Sequence, residues 1–277
     1  MRKPYQRNNS KVTEEVIEKL RQYVKRHYFI VNVQKVKTDL KLEISLTRLR
    51  QILHQLNFSY QKVTKKPLLT EQQIQDRQNF AKKYLNFDWE NVLFVDEVTF
   101  QTHQFPNKVW CKNSIKPTFQ SPKFPEKVHA IAGLSRQGTT RIHLFTENLT
   151  GELLVDMLID EILPDTDNLF QNNEWYIIHD NDPKYKSKVV TKALIDQGVN
   201  RIEDWPSNSP DINPIENIWG YVKKQLEQLQ IKNKQELIKQ IQLAWQSIPL
   251  KVVQQCVDSM DKRLELVIDN QGLTIHY

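Results

Sequence analysis

Cysteine is nearly missing from this chain. There are two in 277 residues, Cys111 and Cys256, far apart and without motif-like neighbours, which excludes a disulfide framework or a Cys-rich zinc site and fits a reducing compartment. No apolar run approaches the roughly 18–20 residues that a membrane-spanning helix needs, and no signal-peptide pattern opens the chain, so no membrane partner is expected. The histidines lack zinc-ligand spacing, and no phosphate-binding Gly-Lys-Thr loop is present. Zinc enzymes and P-loop nucleotide hydrolases are thereby set aside. What remains, 39% hydrophobic and 26% charged residues, is the composition of an ordinary soluble chain with one large or two modest domains.

What the chain does have is acids at the ends of apolar runs. Trp175-Tyr176-Ile177-Ile178-His179 is the β-branched and aromatic pattern of a buried strand, and it stops at Asp180-Asn181-Asp182-Pro183. Asp180 therefore sits at a strand's carboxyl end, where open α/β sheets bind ligands, although an Asx turn is also a common use of such a residue. Val92-Leu93-Phe94-Val95 is a second strand candidate, ending in Asp96 and Glu97. Asn213-Pro214-Ile215-Glu216 reads as a helix start with Asn as cap and Pro in the first turn, which puts Glu216 on that turn. Its spacing from Asn213 equally fits a capping box. Three acids on neighbouring ends are a candidate site for divalent metal.

The segments FVDEVTF, IIHDNDPKYKS and WPSNSPDINPIENIWGYVKK resemble the three catalytic blocks of the Tc/mariner superfamily of DDE transposases. The last is the most specific, being a long string rich in Pro, Asn and Trp. The resemblance spans about residues 10–230. It implies Asp96, Asp180 and Glu216 as the catalytic and metal-binding triad, with Glu97 and Asp182 as neighbours, on an RNase H-like mixed-sheet α/β fold preceded by an all-α helix-turn-helix domain. At the second block the family's common Pro-Lys-His reads Pro183-Lys184-Tyr185. The family's glycine-rich strip, used to clamp a second subunit, has no counterpart.

Charge divides the chain. Residues 1–86 hold 19 Lys+Arg against 7 Asp+Glu, a balance of +12, so the +6 of the whole leaves −6 on residues 87–277. A basic N-terminal part suits a phosphate backbone, and an acidic remainder suits cations. Residues 1–11 read as a flexible basic arm whose Arg2, Lys3 and Arg7 are candidates for a minor groove. Three short helices follow: from Thr13 with Val16, Leu20, Tyr23 and Val24 inward, from Asn32 or Val33 to Leu40, and from Ser45 to Leu56 with Leu46, Leu49, Ile52, Leu53 and Leu56 on one side. This is a helix-turn-helix pattern in which Arg48, Arg50, Gln51 and His54 are the candidate DNA contacts. The unit and its trailing KKPLLTEQQ are similar to the second helix-turn-helix of the family. RKPYQR is similar to the linker before it, so the expectation is a chain without the first recognition unit.

Beyond it, Thr70–Leu85 is predicted to be a bridging helix with Thr70 and Gln73 as a capping box, and Phe87 and Trp89 to be core aromatics. Strands are expected at Val109-Trp110, Val128–Leu134 and Arg141–Phe145, with a Pro-punctuated loop at Lys112–Lys127 and a turn at Gln137-Gly138. Helices are expected at Gly151–Leu163 and at Ser187–Gln197, the latter with Val189, Val190, Ala193 and Leu194 inward. In the tail Leu226, Leu229, Leu237, Ile241, Trp245 and Ile248 keep a helical rhythm. The domain reading is 1–11 arm, 12–66 helix-turn-helix, 67–89 linker helix, 90–230 catalytic domain and 231–277 packing helices.

Hard oxygen ligands suit Mg²⁺, or Mn²⁺ in its place, and two such ions promote in-line displacement at a phosphodiester, Asp180 bridging them and Asp96 and Glu216 completing one side each. The expected function is a transposase that cleaves element ends in double-stranded DNA and joins the freed 3′-hydroxyl to target DNA, which the resemblance implies is TA. It would act as a homodimer or higher homo-oligomer, in the nucleus of a eukaryote or the cytoplasm and nucleoid of a bacterium. The alternative is a transposase-derived DNA-binding protein that no longer cuts.

Overall fold

The structure is a computed structural model and describes residues 14–26, 33–58, 68–104, 120, 122–171, 173–227 and 229–276. Arg2, Lys3 and Arg7, the Val109-Trp110 strand and most of the Lys112–Lys127 loop lie outside these residues. The chain divides into two compact units, Met1–Lys65 and Lys66–Tyr277.

The first unit contains α1 (Glu14–Arg26), α2 (Val33–Asp39) and α3 (Leu46–Gln55). Ser45 caps α3, its Oγ accepting the Arg48 N–H at 3.1 Å. Leu20, Val36, Leu42, Ile44, Leu49 and Ile52 form its core. Of the positions expected to face inward, Leu20, Leu49, Ile52 and Leu53 are buried and Val16, Tyr23 and Leu56 partly so, while Arg48, Arg50, Gln51 and His54 are left exposed.

In the second unit, α4 (Glu71–Tyr84) opens with the expected capping box: Thr70 Oγ1 accepts from Gln73 N–H and Gln73 Oε1 from Thr70 N–H, at 3.2 and 3.0 Å. Rather than standing between domains, α4 adds Phe80, Ala81 and Tyr84 to the core of this unit. Phe87 and Trp89 join the same aromatic cluster, at 5.1 Å between ring centroids.

The sheet is mixed. β1 (Val92–Gln101) pairs antiparallel with β2 (Lys127–Ser135) on one side and parallel with β5 (Tyr176–Ile178) on the other. β3 (Gly138–Thr139) and β4 (His143–Phe145) extend it beyond β2, and β6 (Asn200–Arg201) pairs parallel with β5. Gly133 in β2 is needed for close packing, since a Cβ there would stand 2.8 Å from Leu93 Cδ1 and 2.9 Å from Thr140 Cγ2. The expected strand end at Asp96 is corrected: β1 runs on to Gln101 because β2 continues to pair with it.

Alternation along β1 assigns its two faces. Even-numbered Val92, Phe94, Val98 and Phe100 join the core formed with α4, α8 (Ile215–Leu226), α9 (Lys234–Gln246), α10 (Leu250–Asp258) and α11 (Met260–Asp269). Odd-numbered Leu93 and Val95 join the core under α5 (Gly151–Asp156), α6 (Thr166–Phe170) and α7 (Lys188–Asp196). The C-terminal helices therefore share one core with the sheet. The single helix expected over 151–163 is interrupted: after α5 the chain widens into a π turn at Met157–Ile162 and then tightens at Leu163–Asp165, where Pro164 has no N–H to continue the ladder. The inward assignment of Val189 is corrected, since it is 47% exposed whereas Val190 and Leu194 carry the packing of α7; Leu229, expected in the helical rhythm of the tail, lies beyond α8 and is 46% exposed.

Candidate active site

Parallel pairing of β1 with β5 ends at Phe94 opposite Ile178. Two positions further along each chain stand Asp96 and Asp180. Both line the cleft beside α8, Asp180 just past the carboxyl end of β5 and Asp96 within β1, beyond the point where its pairing with β5 stops. Helix α8 closes the arrangement. Glu216 lies in its first turn and Trp219 one turn further on the same side, and Trp219 Nε1–H donates to Asp96 Oδ2 at 3.2 Å. Trp219 is itself held by stacking on Trp245 at 5.0 Å and by the edge of Phe100 at 6.3 Å.

An open cleft of about 410 Å³ has Asp96, Asp180 and Glu216 among its lining residues, with the Trp205–Pro210 loop as a wall. Asp180 Oδ1 accepts the Asp182 N–H at 2.9 Å, the Asx turn anticipated for it, which aims the carboxylate without removing it from the cleft. Asn181 Nδ2 donates to the Trp205 carbonyl and ties that wall to the strand end. Asp182 bonds Lys184, Nζ to Oδ2 at 2.5 Å and N–H to Oδ1 at 2.9 Å; burial alone would raise its proton affinity, but these bonds outweigh it and lower the pKa. Helix α8 starts at Ile215, and the expected cap is corrected: Pro214 rather than Asn213 holds the cap position, while Asn213 Oδ1, one residue earlier, accepts the Ile215 N–H at 3.3 Å. Glu216 is exposed to the cleft.

The electrostatics report the convergence. Burial pushes the Asp96 carboxyl up to about 8, with the charges of Glu216, Glu97 and Asp180 adding to the effect. Partial desolvation raises Glu216, opposed by Lys223 and reinforced by Asp180. Glu97, on the other face of β1, is raised to about 7, first by burial. Its neighbour there is Tyr185, fully buried, whose phenol and the Glu97 carboxyl influence each other without meeting hydrogen-bond geometry. Tyr185 stacks on His179 at 4.4 Å, burial lowers the His179 pKa, and His179 Nδ1 lies 2.8 Å from the Asp180 carbonyl oxygen. Among the described residues no three acids stand close enough to hold one ion between them. The trio nevertheless share one cleft, approaching it from β1, the end of β5 and α8.

Of the DNA-contact candidates, Arg48, Arg50, Gln51 and His54 are exposed on α3, and Arg48 Nη1 donates to Gln51 Oε1 at 3.1 Å. Sequence reasoning missed Trp219 as the partner of Asp96. Its spacing three residues after Glu216 was the available signal.

Two family models match successive parts of the chain. Residues 91–238 match the family model described as DDE superfamily endonuclease, and residues 19–86 match one described as transposase. The chain is 27% identical over 255 residues to the transposable element Tcb2 transposase of Caenorhabditis briggsae, covering 87% of this chain and 92% of that one. It is also 27% identical over 245 residues to the transposable element Tc1 transposase of Caenorhabditis elegans, covering 82% and 86%. In structure it is similar to the Mos1 transposase paired-end complex with left transposon end, with a TM-score of 0.78, 14% identity and coverage of 94% of this chain and 80% of that one. The Mos1 mariner paired end complex with Mn gives 0.79 at 15% identity, covering 100% and 83%.

Proposed function

Because the chain belongs to the Tc/mariner superfamily of DDE transposases, we propose that its cleft cleaves transposon ends and transfers the freed 3′-hydroxyl into target DNA at TA dinucleotides. It is a DNA transposase with a helix-turn-helix unit and an RNase H-like catalytic domain. The observation that carries the reading is the arrival of three carboxylates, one from each matching block, in one cleft.

The donor set fits Mg²⁺ or Mn²⁺. It is oxygen only, and Asp96, raised first by burial and then by the charges of Glu216, Glu97 and Asp180, is a carboxyl whose ionised form a divalent cation would stabilise. Because Mg²⁺ keeps several waters and shares carboxylates with substrate phosphates, three protein carboxylates are enough. Asp96, Asp180 and Glu216 would hold two ions, which when bound activate the attacking oxygen and stabilise the leaving one in an in-line displacement. Trp219 orients Asp96, the Asx turn orients Asp180, and the Trp205–Pro210 wall, with Ser207 and Asn208, offers neutral donors to the DNA backbone.

In the first unit, α3 would enter the major groove with Arg48, Arg50, Gln51 and His54, and Arg2, Lys3 and Arg7 would follow the minor groove. The neighbours solved as paired-end complexes support a homodimer or higher homo-oligomer on two ends. No described helix is long and apolar enough to cross a membrane, and the DNA substrate favours the nucleus in a eukaryotic host. Incubation of the purified chain with Mn²⁺ and its element end tests the reading: nicking at the end by the wild type and none by Asp180→Ala is expected. Salt-dependent DNA binding with identical, absent nicking in both proteins would instead identify a binding protein that has ceased to cut.

A further inference from the structure

Two arginines are almost completely buried in the second unit, Arg77 of α4 at 0% and Arg263 of α11 at 2% exposure. A guanidinium in such a place is strongly destabilising unless its donors are met. Arg77 forks onto the Asp211 carboxylate, Nη1 to Oδ1 and Nη2 to Oδ2 at 2.8 Å each, while Nη1 also reaches Ser209 Oγ and Nε the Gly272 carbonyl, again at 2.8 Å. Arg263 donates through Nη1 to the Asp211 carbonyl at 3.0 Å, through Nη2 to Asn217 Oδ1 at 2.7 Å and through Nε to Ser259 Oγ at 2.8 Å. Asp211 is further engaged by the Ile275 N–H at 2.7 Å.

The acceptors have one thing in common. Ser209, Asp211 and Asn217 bracket Glu216, on the segment that leads into α8 and on its first turn. Glu216 itself is exposed and lines the cleft, so its place relative to Asp96 and Asp180 depends on whatever anchors its flanks. The tail that helps to build the anchor is fitted to α4 without slack: Gly272 has φ +79°, and a Cβ there would stand 2.3 Å from the Ile74 carbonyl oxygen. A buried ion pair is weak evidence for stability but a good device for fixing geometry, because only one arrangement satisfies a forked guanidinium.

We infer that Arg77 and Arg263 are positioning residues for Glu216, a double clamp through Asp211 and Asn217 that sets the third carboxylate against the two on the sheet. This rests on the transposase reading of the cleft. It makes α4 and the residues after Asn270 part of the catalytic apparatus, though none of them lines the cleft.

The test is Mn²⁺ binding to the full chain by calorimetry, beside a melting curve, for wild type, Arg77→Lys, Glu216→Gln and the double variant. Lysine keeps the charge and loses the fork. Arg77→Lys should remain folded and weaken Mn²⁺ binding about 10- to 100-fold, as loss of a residue that orients a metal ligand does. The double variant should bind no more weakly than Glu216→Gln alone, because the clamp acts through that carboxylate. If Arg77→Lys melts below the assay temperature, Asn217→Ala removes only the Arg263 contact on α8 and should show the same dependence on Glu216. A folded variant with wild-type affinity, or one whose effect adds in full to that of Glu216→Gln, overturns the inference. Absence of Mn²⁺ binding by the wild type would instead overturn the metal reading beneath it.

Discussion

Replacing Asp96 by asparagine should stabilise the metal-free protein while abolishing cleavage. The carboxyl titrates near 8 in the fold against 3.8 when unperturbed, because it is buried and faces other acids. The folded state therefore binds a proton that the unfolded chain has released, and stability attributable to this group is present below about pH 4 and lost as pH rises towards 8. At 1.36 kcal/mol per pKa unit, the ceiling on this destabilisation at pH 7 is about 4 kcal/mol. Relaxation and water entry in an open cleft reduce it, and about 1–2 kcal/mol is the expected gain for asparagine, whose side-chain oxygen still accepts from Trp219. That corresponds to a melting temperature higher by roughly 2–8 °C. Calorimetric melts in chelator at pH 4.5, 6, 7 and 8 should show a difference that is small at the acid end and grows to the alkaline end. Equal melting temperatures at pH 8, or a difference of the same size at every pH, would refute the convergence of charge on Asp96.

Four further outcomes follow from the same geometry. Mn²⁺ should raise the melting temperature of the wild type more at pH 8 than at pH 6, since Asp96 must lose its proton to serve as a ligand, and thermal melts with and without the ion check this. Trp219→Phe removes the donor to Asp96 from a buried site and should lower the nicking rate about 10-fold while costing about 1–3 kcal/mol of stability; unchanged kinetics would show that the indole does not orient the carboxylate. Tyr185→Phe deletes a buried hydroxyl that lacks a hydrogen-bond partner, so stability by urea titration should stay within about 1 kcal/mol of wild type or rise; a loss of several would mean that the hydroxyl is bonded to Glu97. Arg48→Ala and Arg50→Ala, both on the exposed side of α3, should each reduce the slope of log affinity against log salt by about one if they contact phosphates, measured by DNA titration at several ionic strengths.

The elements that were legible in the amino-acid string are those made by short-range physics. The capping box at Thr70 and Gln73, the apolar stripe of α3 and the β-branched run at Ile177 each depend on contacts within a few residues. Where local pattern misled, a distant partner decided. Asp96 looked like a strand end, but β2 extends the strand past it. Val189 looked inward by composition, yet Val190 and Leu194 occupy the sheet-facing side of α7. The helix after Gly151 was read as continuous although Pro164 deprives its end of a donor.

By itself the sequence determined the three acid-bearing blocks, the basic and acidic halves, and the helix on which Glu216 stands, because residue type and spacing are enough to set backbone preference and charge. Only the tertiary structure decided that Asp96 rather than Glu97 faces Glu216, that an indole one turn along α8 holds it, and that Arg77 and Arg263 anchor the segment around Glu216. Which face of a strand meets which helix, and which buried charge finds its counterpart, are set by packing between residues far apart in the chain, 134 positions in the case of Arg77 and Asp211. No local propensity encodes that meeting, since each partner alone would look like an ordinary surface charge.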